Sequence, residues 1–240
     1  MSKSTWIAAS AIAAIMTSAS FAVTPSSRDT GNLDFGLLEG DLSGWHLAVY
    51  GAGATRNLEN GDDVIERDLT RVNVVIGYDL TRWITVYGLA GGADLSEDTE
   101  WNDDESDTSA VWGVGLWANL IQSEQLPLMD TITSYRLTSG LEYSYAGFDE
   151  FGWTQIDGFL TLGFMNELRS SSRIFPEVIG VFAGPVLSYV DAEDYESGSD
   201  NMFGLTVGLD MVFVRNFYAV GGADLFADDT VAYGMAGLRF

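Results

Sequence analysis

Ten segments of this chain, spread from Trp45 to Phe240, alternate side-chain character with a period of two. Each has one face free of charge, apart from Asp68 at an end of the second segment. Alternate residues of a β-strand point to opposite sides, so the pattern gives every segment an apolar and a polar face. The segments lie at 45–56, 67–80, 83–95, 109–121, 132–145, 153–166, 178–190, 202–214, 217–226 and 230–240. The uncharged faces read Trp45, Leu47, Val49, Gly51 and Gly53 in the first segment and Val72, Val74, Ile76, Tyr78 and Leu80 in the second. They read Phe203, Leu205, Val207, Leu209, Met211 and Phe213 in the eighth, and Ala232, Gly234, Ala236, Leu238 and Phe240 in the last. The opposite faces hold Arg56, Arg71, Asn73, Asp79, Asp94, Asn119, Arg136, Glu142, Gln155, Asp157, Asp210, Asp224 and Arg239.

Two architectures use this alternation. A soluble sandwich or lipocalin-like barrel turns the apolar face inward, whereas a membrane barrel turns it toward lipid. Three features favour the second. Aromatics gather near segment ends, as at Trp45, Trp83, Trp112, Tyr143, Tyr189, Phe213 and Phe217, where interfacial girdles form. The charge-free faces are richer in glycine than a wet surface would be, and Lys3 is the only lysine in the chain. The expected fold is all-β: a closed antiparallel up-and-down transmembrane β-barrel of about ten strands, or eight if two segments are mispaired. Pro185 inside the seventh segment forfeits a ladder hydrogen bond, which predicts a bulge or a shifted strand end there.

The first residues read as a targeting segment. Lys3 provides a short positive region, Ile7 to Met16 an alanine-rich apolar run, and Ser20-Phe21-Ala22 a small-residue cleavage site. That run is well short of the ~20 residues a membrane-spanning helix needs. The expected organisation is a cleaved signal peptide at 1–22, a lead segment at 23–43 and a barrel at 44–240.

A formal net charge of -24 excludes nucleic acid as a partner, because phosphate binding requires clustered Lys and Arg. With 47% hydrophobic residues the chain is nevertheless too apolar to stay disordered. The acids are unevenly placed. More than half of the 35 fall in the alternate connections 57–66, 96–108, 146–152, 191–201 and 227–229, which contain no Lys or Arg. Arg82, Arg169, Arg173 and Arg215 fall in the other connections. An even-stranded barrel with both termini inside the cell places the first set on the outer side. These acidic loops read first as solvated rims. The run from Asp98 to Glu105 also has enough oxygen donors to attract divalent cations, though it lacks the glycine and spacing of an EF-hand.

The last segment, Val231-Ala232-Tyr233-Gly234-Met235-Ala236-Gly237-Leu238-Arg239-Phe240, together with the leader and the alternating strands, resembles the small bacterial outer-membrane β-barrel superfamily, the porin-like or OmpA-like transmembrane domains. The resemblance implies residence in the bacterial outer membrane among its lipids. It also implies handling by the barrel-assembly machinery, with Phe240, Leu238 and Ala236 in the positions that machinery recognises.

Little in the sequence points to catalysis or a cofactor. The chain has no cysteine, and His46 is its only histidine, so a transition-metal site lacks ligands and any histidine-based hydrolysis would depend on His46. Gly51-Ala52-Gly53 lies within a strand with no helix following, so it is no dinucleotide loop. The more informative set is the lumen charges Arg71, Asp79, Asp94, Arg136, Glu142, Asp157, Asp210 and Asp224. Charges in a narrow barrel must be paired or wet. They predict either a plugged structural interior or an acid-lined passage that prefers cations. The expected role is a non-enzymatic structural or surface-interaction one in the cell envelope. A narrow cation-leaning pore is the alternative, and an outer-membrane enzyme stands third. A repeated Gly-Gly-Ala-Asp-Leu, at 91–95 and 221–225, suggests two hairpins of similar build.

Overall fold

The computed structural model describes residues 44–60, 63–81, 83–97, 106–128, 131–148, 152–168, 176–192, 203–213, 217–227 and 230–240. The strands are β1 (Trp45–Asn60), β2 (Asp63–Thr81), β3 (Ile84–Glu97), β4 (Ser106–Leu128), β5 (Thr131–Gly147), β6 (Gly152–Glu167), β7 (Val178–Ala192), β8 (Phe203–Phe213), β9 (Phe217–Leu225) and β10 (Thr230–Arg239). Each pairs antiparallel with its sequence neighbours, and β1 pairs with β10, so the sheet closes on itself. Closure removes the free edges that would otherwise leave backbone groups unpaired. Gly44 and Phe240 lie on the same rim, joined by backbone hydrogen bonds from Gly44 N to Phe240 O at 3.2 Å and from Phe240 N to Trp45 O at 2.9 Å. We call this the terminal rim and the other the distal rim. The leader and lead segment, residues 1–43, lie outside the described residues, as do most of the acidic loops.

The alternation sorts as lipid-facing outside and packed inside. Val72, Val74 and Ile76 on β2 are 52%, 46% and 53% exposed, while their neighbours Arg71, Asn73 and Val75 are buried. On β8 the outward Leu205 and Leu209 alternate with buried Thr206 and Asp210. Aromatics ring the apolar band toward the terminal rim, with Trp45 against Tyr78 at 4.8 Å and Phe213 against Phe217 at 5.4 Å between ring centroids. Trp112, Tyr143 and Tyr145 form a second cluster further along the wall. The band ends distally in outward polar residues such as Thr70, Asp94 and Thr108, direct neighbours across β2, β3 and β4. Asp68, one step beyond Thr70 on the outward face of β2, accepts a 2.6 Å hydrogen bond from the Thr55 hydroxyl.

Inside, glycines and aromatics interlock. Tyr87 faces Gly115, Phe159 faces Gly140, Phe182 faces Gly208, Tyr233 faces Gly222 and Tyr218 faces Gly237, each pair directly opposite on neighbouring strands. In every case a methyl group on the glycine would collide with the ring. The rings lie over bare backbone, a device that fixes register and helps to fill a narrow lumen.

Several expectations need correction. The connection expected at 57–66 is mostly strand: β1 and β2 pair out to Asn60 opposite Asp63. The connection expected at 122–131 is likewise taken up by β4 and β5, which pair out to Leu128 opposite Thr131 across two register shifts. Polar composition suggested loops there, but hairpins that project beyond a membrane need no apolar face. Pro185 stays in β7 with its side chain outward and pairs with Leu205. The β6–β7 ladder is interrupted between Phe159–Val186 and Leu162–Ala183, without any change of register. The two Gly-Gly-Ala-Asp-Leu repeats face opposite ways, Asp94 outward and Asp224 inward, so the echo is not one of hairpin structure.

Candidate functional site

The lumen carries the concentrated polar chemistry of the described residues, in three groups. Nearest the terminal rim, Asp79 joins four strands. His46 Nε2 on β1 lies 3.0 Å from its Oδ1, Arg239 Nη2 on β10 lies 3.0 Å from its Oδ2, and the Thr85 hydroxyl on β3 donates to Oδ1. The His46 ring meets Trp117 and Tyr218 edge-on, at centroid distances of 6.4 and 6.5 Å. This group sits on the β1–β10 seam, and Asp79 N also donates to Gly44 O at 2.9 Å. His46 is thus held as a seam residue, with the Asp79 carboxylate fixing its ring.

The second group spans the barrel. Arg136 on β5 donates from Nη2 to Asp210 Oδ2 on β8 at 2.8 Å, both side chains almost fully buried. The third spans it again, further from the terminal rim. Arg71 on β2 reaches Ser144 Oγ on β5 at 2.9 Å and lies 3.7 Å from Glu142 Oε1, while the Tyr87 hydroxyl donates to Glu142 Oε2 at 2.6 Å. Gln155 donates to Asp157 Oδ1 at 3.1 Å and to Ser188 Oγ at 3.2 Å, continuing the network onto β6 and β7. Strands three apart in the wall are linked in both cases, so the side chains cross the lumen as struts.

Beyond the struts the inward faces turn apolar. Leu69, Leu95, Val111, Phe148, Trp153 and Phe226 stop the distal end and belong to the same buried cluster as Tyr50, Tyr87 and Trp117. A polar lumen was the expectation, and this stopper was not foreseen. Its residues sit where strands run toward acidic loops, and the charges of those loops mask the apolar parity of the strand ends.

Of the eight lumen charges expected, Arg71, Asp79, Arg136, Glu142, Asp157, Asp210 and Asp224 point inward, six of them nearly fully buried and Asp79 partly so. Asp94 does not: it is exposed on the outer wall, between buried Ala93 and Leu95. From Ile84 to Ser96 no other residue of β3 is charged, and the face that packs the lumen is the bulky one, Tyr87 and Leu89, while the outward face is Gly88, Ala90 and Gly92. Size, not polarity, sets the parity of this strand. The side chain of Arg56 lies outside the described residues. Leu238 and Ala236 share the outward face of β10, and Phe240 follows at its end, half exposed.

Among the described residues no group of three or more His, Cys, Asp or Glu side chains could hold a metal ion. The acidic run from Asp98 to Glu105 lies almost wholly outside them.

No protein-family model matches the sequence, and no curated protein matches it. Among solved structures, the translocator domain of the autotransporter NalP from Neisseria meningitidis is similar at a TM-score of 0.45 and 13% identity, covering 100% of this chain and 99% of that one. The transport unit of the autotransporter AIDA-I from Escherichia coli follows at 0.35 and 10%, covering 85% and 92%. OprB from Pseudomonas putida is at 0.27 and 9%, covering 90% and 98%. Likeness at this level bears on neither role nor ligand. The class is carried by the molecule itself, because a wall with no free edge and an apolar exterior is what a lipid bilayer demands of β-structure. The chain is a closed ten-stranded antiparallel transmembrane β-barrel.

Proposed function

We propose that this barrel is a non-enzymatic envelope protein, a rigid plugged cylinder that anchors its distal hairpins and acidic loops at the membrane surface for a structural or surface-interaction role. The observation that carries this reading is the pair of struts, Arg136–Asp210 and Arg71–Glu142, crossing a lumen lined by buried aromatic and aliphatic side chains. Burial is severe: Tyr50 and Asn73 are 0% exposed and Tyr218 is 1% exposed. In this reading the packed side chains close the lumen to solute, and a passage would need the struts to part. In the same reading, outer-membrane lipid covers the wall. The assembly machinery would engage the final strand at Phe240, Leu238 and Ala236, and divalent cations would screen the acidic loops.

Planar-bilayer recording tests the reading against the cation-leaning pore. The wild-type barrel is expected to show no steady current. Joint replacement of Arg136 and Arg71 by alanine removes both struts and leaves carboxylates along the opening. It is expected to produce current that favours cations. Steady open-channel current from the wild-type protein would overturn the plugged reading in favour of the pore.

A further inference from the structure

The middle of the lumen carries a belt of polar side chains that the two struts do not account for. The row of directly paired residues that leaves β5 at Ala146 passes through Asn73 and Tyr50 and returns to β5 at Ser134, twelve residues nearer the terminal rim. Each of the ten steps around the wall therefore shifts the row by about 1.2 residues, the stagger that closure imposes. With that tilt allowed for, Asn73 on β2, Glu142 on β5, Asp157 on β6 and Asp224 on β9 share one height to within about 3 Å. Glu142 and Asp157 are direct partners on neighbouring strands, and Asp224 lies opposite Thr206. All five are buried, and Asn73, Thr206 and Asp224 are 0% exposed. Tyr50, the direct partner of Asn73, is within electrostatic range of Glu142, Asp157 and Asp224, so the belt encloses one chamber.

Two features of the belt call for a ligand. Neither amide atom of Asn73 has a hydrogen-bond partner, although the side chain is wholly buried, and a buried amide is costly to leave unpaired. The belt also has a surplus of negative charge. Among the described residues Arg71 is the one guanidinium that reaches it, against three carboxylates, since Arg136 lies nearer the terminal rim and is bound to Asp210. Buried charge in excess requires a counter-ion. Among the described residues no group of three His, Cys, Asp or Glu side chains could hold a metal ion, so a divalent ion, which needs several carboxylate oxygens around it, does not fit. A monovalent ion asks for less charge and accepts neutral oxygens. We propose that the belt is a binding site for a small monovalent metal cation of the sodium or potassium kind. The ion is held by the amide oxygen of Asn73 and the carboxylates of Asp157 and Asp224, with the Thr206 hydroxyl beside them. It offsets the surplus, gives Asn73 a partner, and ties β9 to β2 and β6 across the lumen, a link that neither strut makes. The inference deepens the plugged-barrel reading and rests on it, because a closed lumen keeps these charges from bulk water.

The test is urea unfolding of the full mature chain from choline-headgroup vesicles, at one ionic strength, in sodium, potassium, calcium or N-methylglucamine chloride. The last cation is too large for the belt. Sodium or potassium is expected to stabilise the wild type in a saturating manner. At ten times the dissociation constant the folded-to-unfolded ratio should stand about elevenfold above that in N-methylglucamine. Asp224→Asn keeps the shape of the side chain, removes its charge, and is expected to abolish the dependence. Asn73→Leu, of similar volume, is expected to do the same. Should Asn73→Leu fail to fold, Asp224→Asn decides the matter alone. Asp68→Asn makes the same change of charge on the outer wall and is expected to leave the dependence intact, which separates the site from screening of the acidic loops. Equal stability of the wild type in sodium, potassium and N-methylglucamine would overturn the proposal, as would a dependence that survives Asp224→Asn, or stabilisation by calcium alone. Planar-bilayer recording of the same preparation keeps two failures apart. Steady current would remove the plugged reading and the site with it, whereas a silent barrel indifferent to the cation would remove the site alone.

Discussion

Arg136→Ala is expected to destabilise the folded barrel by about 3–5 kcal/mol, the cost of stranding a buried charge. The Arg136 and Asp210 side chains are 4% and 3% exposed and meet at 2.8 Å. With the guanidinium gone, the Asp210 carboxylate stays in a lumen where water cannot replace the lost partner. Asp210→Ala is expected to cost a similar amount, for the converse reason. Replacing both residues by leucine should be far milder than either single change. The pair itself gains little net energy once the desolvation of both ions is counted, and leucines refill much of the volume. Urea unfolding of the detergent- or vesicle-folded protein, followed by the loss of heat-modifiable gel mobility, reads all three variants on one scale. A single variant as stable as the wild type would show that the lumen is wet at this level and that the strut does not hold the barrel shut.

The second large effect is on the outside. Val74 lies midway along the outward face of β2 between Tyr78, in the girdle, and Thr70, at the distal edge of the band. It is 46% exposed and flanked by Val49 and Ala90. Arginine there would sit at the bilayer midplane and is expected to cost about 2–4 kcal/mol. Arginine at Thr70, at the band's edge, is expected to cost only about 0–1 kcal/mol. The ratio is the informative part, because a water-soluble barrel would accept both changes alike on an exposed position. Folding yield into vesicles and urea midpoints of the two variants, compared directly, give that ratio.

Most of the wall was legible in the sequence because lipid imposes a rule on one face only. β2 and β8 carry long side chains outward and polar ones inward, and their parity can be read residue by residue. β3 could not be read this way. Its outward face is Gly88, Ala90 and Gly92 and its inward face Tyr87 and Leu89, so polarity is silent and Asp94 misleads. The signal was present in another form, since several inward rings of the packed lumen lie opposite a glycine. Tyr87 over Gly115 would have set the parity of β3 had cross-strand partners been known. The pairing of Arg136 with Asp210 and of Arg71 with Glu142 was illegible for the same reason. Both join strands that are three apart in the wall, and the distance across a lumen depends on strand tilt and stagger, which no local pattern encodes. The distal stopper was hidden by the acidic residues that crowd the neighbouring loops.

Site-directed spin labels placed singly from Val72 to Ile76 in vesicle-embedded protein measure which medium each face of a strand meets. Labels at positions 72, 74 and 76 should collide with oxygen dissolved in the lipid and be shielded from a water-soluble nickel complex, while labels at 73 and 75 should meet neither. Nickel collisions at 72, 74 and 76 equal to those of a free surface would mean that the apolar wall faces water, and this account of the molecule would be wrong.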